Sequence, residues 1–468
     1  MTFTPVGATT RQGKSLVVLT ILCLAQFMLI VDVVVVNVAL PSIRSDLNLP
    51  DSRLQLVAVA YTLTFGSLLV AAGRAGDLLG RRRLFTVGLA LFTLASLLTA
   101  LAQFEWQLLA ARAGQGVGAA LVSPAALALL TTAFDEGAAR NRALGYWAAV
   151  GSAGAIAGQV IGGFLTDAYG WRSIFLINVP IGVLVLAGAL RYLPESRGDD
   201  RAKLDVRGAI LLTGGLTAAI LALTLLAEGQ SVMMGLLLTA AAMILGYGML
   251  THSRRHPAPL LDPTLIRMRG VAKANLLLAV NAGMLGGTLL FTTLYMQVIL
   301  DYSPFEMGAA FAPVTLLILL ISPKAGALTT RFGARRMLTT GFSLLAVGMA
   351  LLARLPQDGT YLTAVLPALL LIAIGSGLAY APTFIAGTTG VPDRLQGLAS
   401  GFLNSSQELG AAIGVTTLGA VATIATTGDS LVTGYRAGLM TAAGVVALSI
   451  LIIRRLPTEN AVLETSNT

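Results

Sequence analysis

Gly73-Arg74-Ala75-Gly76-Asp77-Leu78-Leu79-Gly80-Arg81-Arg82-Arg83 separates one long apolar stretch from the next. Gly326-Ala327-Leu328-Thr329-Thr330-Arg331-Phe332-Gly333-Ala334-Arg335-Arg336 does the same much later in the chain. Both glycines and the last two arginines recur at a constant offset of 253 residues. A duplicated six-helix unit with short loops would repeat after only about 180–190 residues. About two further helices must therefore lie between the copies. Chance repetition of a glycine-rich loop would not reproduce position, spacing and charge together.

Outward from these turns, fourteen mostly apolar stretches can be counted, each long enough for a bilayer-spanning helix. They are placed at 15–40, 54–75, 84–103, 106–132, 143–168, 172–193, 205–227, 231–251, 273–299, 306–328, 335–354, 361–386, 399–426 and 436–453. Hydrophobic residues make up 56% of the chain and charged residues 11%, with a mean hydropathy of +0.81. A soluble domain has about 25% charged residues, and 468 residues could not cover this much apolar surface. Only helices and closed barrels satisfy the backbone in hydrocarbon. These runs are too long and too continuously apolar for barrel strands. The first run is full length and lacks a cleavage site, so it reads as a span and not as a signal peptide.

The expected fold is thus an all-α integral membrane protein of 14 transmembrane helices. Its parts are a cytoplasmic tail at 1–14, a six-helix bundle at 15–193, a two-helix insert at 205–251, a second six-helix bundle at 273–455 and a cytoplasmic tail at 456–468. Of 31 Lys and Arg, 25 fall at the termini or in and beside the even-numbered loops, which places both termini in the cytoplasm. The net charge of +9 is then topogenic and faces anionic lipid; nucleic acid is not an expected partner. Cys23 is the single cysteine, which excludes an internal disulfide, and no metal site or cofactor is expected. The chain has no G-x-x-x-x-G-K-[ST] sequence, so ATP does not drive it directly. Its loops leave no room for a soluble catalytic domain, and no enzyme activity is expected. His252 and His256 read as solvated loop residues after the eighth span. Arg outnumbers Lys by 27 to 4, which suggests a GC-rich bacterial genome and so a bacterial cytoplasmic membrane.

Several motifs together resemble the major facilitator superfamily, and in particular its fourteen-span drug:proton antiporters. The Gly73–Arg83 turn is similar to the loop motif G-x-L-a-D-r-x-G-r-k/r. Val31-Asp32-Val33-Val34-Val35-Val36-Asn37-Val38-Ala39-Leu40-Pro41 resembles the first-span motif, and Arg112-Ala113-Gly114-Gln115-Gly116-Val117-Gly118-Ala119-Ala120 the fourth-span motif R-x-x-Q-G-x-G-A-A. Gly154 through Gly163, followed by Trp171-Arg172 and Phe175 through Gly182, resembles the antiporter motif and the helix after it. Tyr295-Met296-Gln297 and Gly397-Leu398-Ala399-Ser400-Gly401 extend the likeness over essentially the whole chain. Gln159 stands at the family's proline position, and Thr330 stands where the first loop copy has Asp77. The first departure weakens the case for a proline bend in that helix. The second suggests that the two bundles do not gate symmetrically.

Ionisable groups at membrane depth are costly and are functional candidates by default. Here they are Asp32, Arg112 and Glu408. Asp32 and Arg112 both come to roughly 10–14 Å below the outer surface, on spans that line the central cavity in the resembled family. Burial favours a protonated aspartate and a neighbouring guanidinium the ionised one. A conformational change in either influence would load or release a proton, as would an arriving cation. The alternative is a static buried pair that joins two helices. Glu408 is either a second proton or cation site facing the cleft, or a protonated acid bonded to a neighbouring helix. The resemblance implies that Asp77, with Gly73, Gly80 and Arg81, forms a gating latch, by capping a helix N-terminus or pairing with a base. The plainer account of this loop is topology and close helix crossing.

Gly154, Gly158, Gly162 and Gly163 form a flat face for close packing. The resemblance sets this face against the other bundle, where it would seal the pathway; ordinary packing is the other account. Gln26, Gln115, Asn281, Gln297 and Tyr295 are candidate pocket liners. The resulting reading is a proton-coupled antiporter that exports amphipathic, cationic or neutral drugs by alternating access, as a monomer by family resemblance. Alternatives are a dedicated exporter of one antibiotic or metabolite, and an uncoupled facilitator or membrane sensor.

Overall fold

The computed structural model describes residues 6–50, 53, 56–195, 205–228, 231–256, 259–260, 262–302, 304–356, 359–426 and 431–456. Sixteen α-helices are found among them: α1 (Val6–Leu47), α2 (Leu56–Leu79), α3 (Arg81–Ala100), α4 (Glu105–Ala133), α5 (Ala138–Tyr169), α6 (Arg172–Leu176), α7 (Asn178–Tyr192), α8 (Val206–Glu228), α9 (Val232–Arg255), α10 (Pro263–Arg267), α11 (Arg269–Leu294), α12 (Pro304–Phe332), α13 (Ala334–Leu352), α14 (Leu366–Thr388), α15 (Gln396–Ala425) and α16 (Leu431–Ile453). Single π-helical turns at Tyr295–Ile299 and Tyr361–Val365 extend α11 and precede α14.

Twelve helical segments among the described residues are long and apolar enough to cross a membrane, where the sequence reading expects fourteen. The other two expected spans correspond to α5, with 32 residues, and α13, with 19. Glycines dilute the apolar character of α5, and α13 opens on Arg335 and Arg336. The first helix also begins at Val6, well before residue 15, so much of the expected N-terminal tail is helical. Most of the expected C-terminal tail (457–468) lies outside the described residues, as does the loop at 196–204. The sixth expected span is broken at Ile177 into α6 and α7.

Packing follows the sequence pattern of each helix. In α13 the buried residues Leu338, Phe342, Leu345, Met349 and Leu352 recur every three or four positions, which makes one stripe facing a core. By contrast α8 and α9 are apolar on all sides: Ile210, Met233, Leu237, Ile244 and Tyr247 are exposed, as expected of surface in contact with lipid. One large apolar core is built mainly from α1–α7 and a second from α11–α16. The α8–α9 pair packs beside α2 and α15.

The backbone itself carries the repeat. Asn48 and Asp301, Gly80 and Gly333, and Gly137 and Gly390 all turn at positive φ, and each pair is separated by the same 253 residues as the loop motifs. At Gly80 (φ 107°) and Gly333 (φ 79°) a side chain would be strained, so glycine allows one helix to end and the next to start at once. This turn places Arg81–Arg83 and Arg335–Arg336 at one end of the molecule, here called the basic end.

Candidate functional site

Asp32 lies on α1, Arg112 and Gln115 lie one turn apart on α4, Ser96 and Thr99 on α3, and Asn178 at the start of α7. Asn178 follows the break at Ile177 and is 2% exposed. Arg112 donates to Asp32 Oδ2 at 2.7 Å, while Gln115 Nε2 (2.9 Å) and Asn178 Nδ2 (2.8 Å) donate to Oδ1. Arg112 also donates to the Val57 carbonyl (3.2 Å) and to Gln115 Oε1 (2.9 Å). Gln115 Nε2 donates in addition to Ser96 Oγ at 2.8 Å, and Thr99 donates to Gln115 Oε1 at 3.3 Å. The guanidinium lies 4.6 Å from the ring centre of Tyr61 and 5.5 Å from that of Phe175. Asp32, Arg112 and Gln115 are at most 1% exposed, so the network is dry. In such a medium a buried pair survives only when its remaining donors and acceptors are satisfied. Here the carboxylate has three donors, and the guanidinium keeps two partners besides Asp32.

At the basic end α2 crosses α15, and α5 crosses α12. Asp77 accepts from the backbone N–H groups of Gly397 and Leu398 at the start of α15, both at 2.9 Å. It also accepts from Arg81 Nε at 3.0 Å, and Arg81 reaches the Asp393 carbonyl. An anion over a helix N-terminus is stabilised by the unpaired N–H groups there. The crossing is tight: a Cβ on Gly73 would lie 2.2 Å from the Gly397 carbonyl oxygen. At the other crossing a Cβ on Gly326 would lie 2.1 Å from the Asn141 carbonyl oxygen, and Asn141 donates to Thr330 Oγ1 at 2.9 Å. The Glu136 carboxylate accepts from Gly390 N–H at 3.1 Å. At the basic end the two helical groups are thus joined at both crossings.

Glu408 is half-buried midway along α15, close to Gly66 of α2. No hydrogen bond or ion pair to it is found among the described residues. Its neighbour Gln407 accepts from the Tyr380 hydroxyl at 2.6 Å. Gln26 is half-buried, and its Oε1 has no hydrogen-bond partner among the described residues; the same holds for Oδ1 of Asn281, which is 2% exposed. Gln297 is half-buried in the π turn after α11.

Four sequence expectations change. Gln115 is not a pocket liner: it is fully buried and bridges Asp32 to α3. Tyr295 sits in the second apolar core with its hydroxyl donating to the Pro356 carbonyl at 2.7 Å, so it too is structural. Gly154, Gly158 and Gly162 pack on Phe27, Ile30, Val31, Val34 and Val35 of α1, not on the second helical group, and Gly163 is half-buried beside them. Between the groups the close contact of α5 comes instead from Gly145, where a Cβ would stand 2.9 Å from the Ser322 carbonyl oxygen. Sequence reasoning missed Ser96, Thr99 and the role of Asn178, since hydroxyls and amides in apolar runs do not announce their partners. His252 is no solvated loop residue: it lies in the last turn of α9, 16% exposed, 2.8 Å from Asp205.

The family model described as Major Facilitator Superfamily matches residues 22–415 and again 276–466. The chain is 39% identical over 456 residues to the puromycin resistance protein pur8 of Streptomyces alboniger, covering 93% of this chain and 90% of that one. It is 37% identical to the cephamycin export protein CmcT of Amycolatopsis lactamdurans, covering 90% and 88%. To the multidrug resistance protein Stp of Mycobacterium tuberculosis it is 35% identical, covering 85% and 74%. Among solved structures, the human organic anion transporter MFSD10 superposes with a TM-score of 0.71 at 16% identity, covering 94% of this chain and 99% of that one. The proton:xylose symporter XylE superposes with a TM-score of 0.69 at 15% identity, covering 96% and 97%. At these identities the two structures speak to the fold alone.

Proposed function

The chain belongs to the Major Facilitator Superfamily, and we propose that it is a proton-coupled exporter of amphipathic drugs or antibiotics, of the fourteen-span drug:proton antiporter type. It is a multi-pass membrane transporter and not an enzyme. In this reading α5 and α13 cross the bilayer along with the other twelve. Residues 15–193 and 273–455 form two six-helix bundles, and 205–251 is a two-helix insert. The basic end faces the cytoplasm with both termini, in a bacterial cytoplasmic membrane, and the protein works as a monomer. The three pairs of positive-φ turns at one offset support the duplication, and the arginines at the basic end support the orientation.

The observation that carries proton coupling is the dry network around Asp32. An ionised Asp32 ties α1 to α4 and α7 through three donors. A proton on Asp32 removes the ion pair, and Arg112 then rests on the Val57 carbonyl and Gln115. The glycine face of α5 locks that helix to α1, and the far end of α5 is half of the closed gate. Release at Asp32 is thereby transmitted to the gate through two packed helices. Asp77 recloses it when its helix cap reforms. Rocking of one bundle against the other around a central site then gives alternating access.

The test is proton-gradient-driven dye uptake into everted membrane vesicles, comparing the parent with Asp32→Asn at matched expression. Uptake by the parent that is lost in Asp32→Asn, with dye binding kept, is expected. Equal uptake in both removes Asp32 from coupling and moves attention to Glu408. A second reading, export of a single antibiotic, draws on the names of the relatives pur8 and CmcT. A resistance spectrum limited to one chemical class would favour it.

A further inference from the structure

The two inserted helices converge at the basic end around a cavity of about 410 Å³. Arg207 from the first turn of α8 and Arg255, His252, His256 and Thr251 from the end of α9 form its polar wall. Leu211 and Gly248 form its apolar floor. Nothing in the transport cycle described above uses this cavity. The same two helices carry the exposed apolar side chains Ile210, Tyr247 and Leu250.

We infer that this cavity binds a phosphate group, and that Arg207 and Arg255 are its principal ligands. Two guanidiniums enter from two different helices, and no carboxylate is among the described lining residues. The nearby carboxylate of Asp205 is already committed. It is 5% exposed and accepts from Gly208 N–H at 2.8 Å, from Leu260 N–H at 3.1 Å and from His252 Nε2 at 2.8 Å. It stays an anion that caps α8 and fixes the His252 ring as part of the wall. Guanidinium forks match phosphate oxygens bidentately, while the Thr251 hydroxyl and the imidazoles offer further polar contacts.

A divalent metal is the rival occupant. Asp205, His252 and His256 present ligand atoms within 4.8 Å of one another. Against it stand the two arginines in the same wall, which repel a cation, and the existing bonds of Asp205. The phosphate could belong to an anionic lipid headgroup or come from solution. Leu211 links the site to function: it lines the cavity and packs on the small core that contains Val70, Leu395 and Leu398. Leu398 carries one of the N–H groups that Asp77 caps. An occupied cavity therefore steadies the closed gate.

The experiment uses the full chain, purified in detergent, with bound lipid counted by native mass spectrometry and stability followed by thermal unfolding. The probes are phosphatidylglycerol, phosphatidylcholine, inorganic phosphate and Zn²⁺. The parent is compared with the double variant R207Q/R255Q and with R254Q, which removes an exposed charge from the same end but outside the cavity. Phosphatidylglycerol affinity about tenfold weaker in R207Q/R255Q, unchanged in R254Q and absent for phosphatidylcholine supports a headgroup site. Stabilisation by inorganic phosphate that R207Q/R255Q removes, without preference for phosphatidylglycerol, supports the same site with a free anion. Equal anion binding in the parent and R207Q/R255Q overturns the inference. So does Zn²⁺ stabilisation that H252Q abolishes and R207Q/R255Q leaves intact, with no anion effect.

Discussion

Asn48, Gly80 and Gly137 turn the first helical group at the same points at which Asp301, Gly333 and Gly390 turn the second. The side chains hung on that shared backbone differ in kind. At the 253-residue offset, Asp32, Arg112, Gln115 and Ser96 correspond to Leu285, Val365, Ala368 and Met349. Val365, Ala368 and Met349 are at most 2% exposed and belong to the second apolar core. One group buries a charged, hydrogen-bonded network where the other buries hydrocarbon. A buried network can be rearranged by one proton, whereas an apolar core has nothing to titrate. On the proposed proton-coupled reading this difference divides the labour: the first group responds, and the second is the body against which it moves.

The largest effect should come from breaking the network itself. Arg112→Ala leaves the Asp32 carboxylate buried without its cation, a loss of roughly 3–5 kcal/mol for a pair of this kind. Transport should vanish, and the thermal unfolding midpoint should fall. At the equivalent position in the second group, Val365→Ala removes only packing, about 1–2 kcal/mol, and transport should persist. Similar losses of transport in the two variants, measured in everted vesicles, would dissolve the proposed division.

The gate tests where the halves are alike. Gly73→Val and Gly326→Val both drive a side chain into a carbonyl that already lies about a bond's reach away, with Cβ positions at 2.2 and 2.1 Å. Either variant should hold the basic end open, seen as a longer distance between spin labels on α2 and α15 or on α5 and α12. Gly76→Ala has its nearest neighbour at 3.9 Å and should leave those distances unchanged. A gate that closes normally in Gly73→Val would show that the crossing is not the point of closure.

A smaller effect separates the two latches. Asp77→Asn weakens charge-assisted bonds to two N–H groups and to Arg81, worth about 1.5–3 kcal/mol. Asn141→Ala, on the Thr330 side, removes one neutral bond, about 1 kcal/mol. The open fraction of the gate should therefore rise more in Asp77→Asn than in Asn141→Ala. The reverse order would assign the latch to the second crossing.

Much of this asymmetry is legible in the chain. Asp32 and Arg112 stand out because a charge in an apolar run is conspicuous, and Thr330 at the position of Asp77 is visible by alignment of the two loops. The repeat is written in glycines and arginines. What the chain hides is which neighbours a helix face meets. Ser96 and Thr99 look like the other hydroxyls that bond their own helix, and only the seating of α3 against α4 gives Gln115 to them. The glycine face of α5 is legible as flat, but not whether it meets α1 or α12, since either helix would fit it. Asp205 and His252 lie 47 residues apart, at the ends of helices whose pairing the sequence implies without fixing their rotation.

The smallest effect lies at the opposite end, where the halves differ once more. Asp46 accepts from Arg172 at 2.6 Å and from Trp171 Nε1 at 3.1 Å, and its counterpart at the 253-residue offset is Ile299. The bonds from Arg172 and Trp171 hold the Asp46 carboxyl below its ordinary pKa, against a small opposing effect of burial. A carboxyl with a depressed pKa in the folded chain contributes stability above its unfolded value, about 3.9, and loses it as pH falls through the folded value. The Asp46 and Arg172 side chains are 44% and 40% exposed, so solvent and salt screen the pair to at most about 1 kcal/mol. Asp46→Asn should therefore cost a small, constant amount of stability at neutral pH. That difference should shrink below about pH 4 and in about 1 M salt. Ile299→Ala should cost packing energy with no such pH dependence. A deficit in Asp46→Asn that persists undiminished in acid would mean that Asp46 serves by shape, as Ile299 does, and that the charge asymmetry is confined to the buried network.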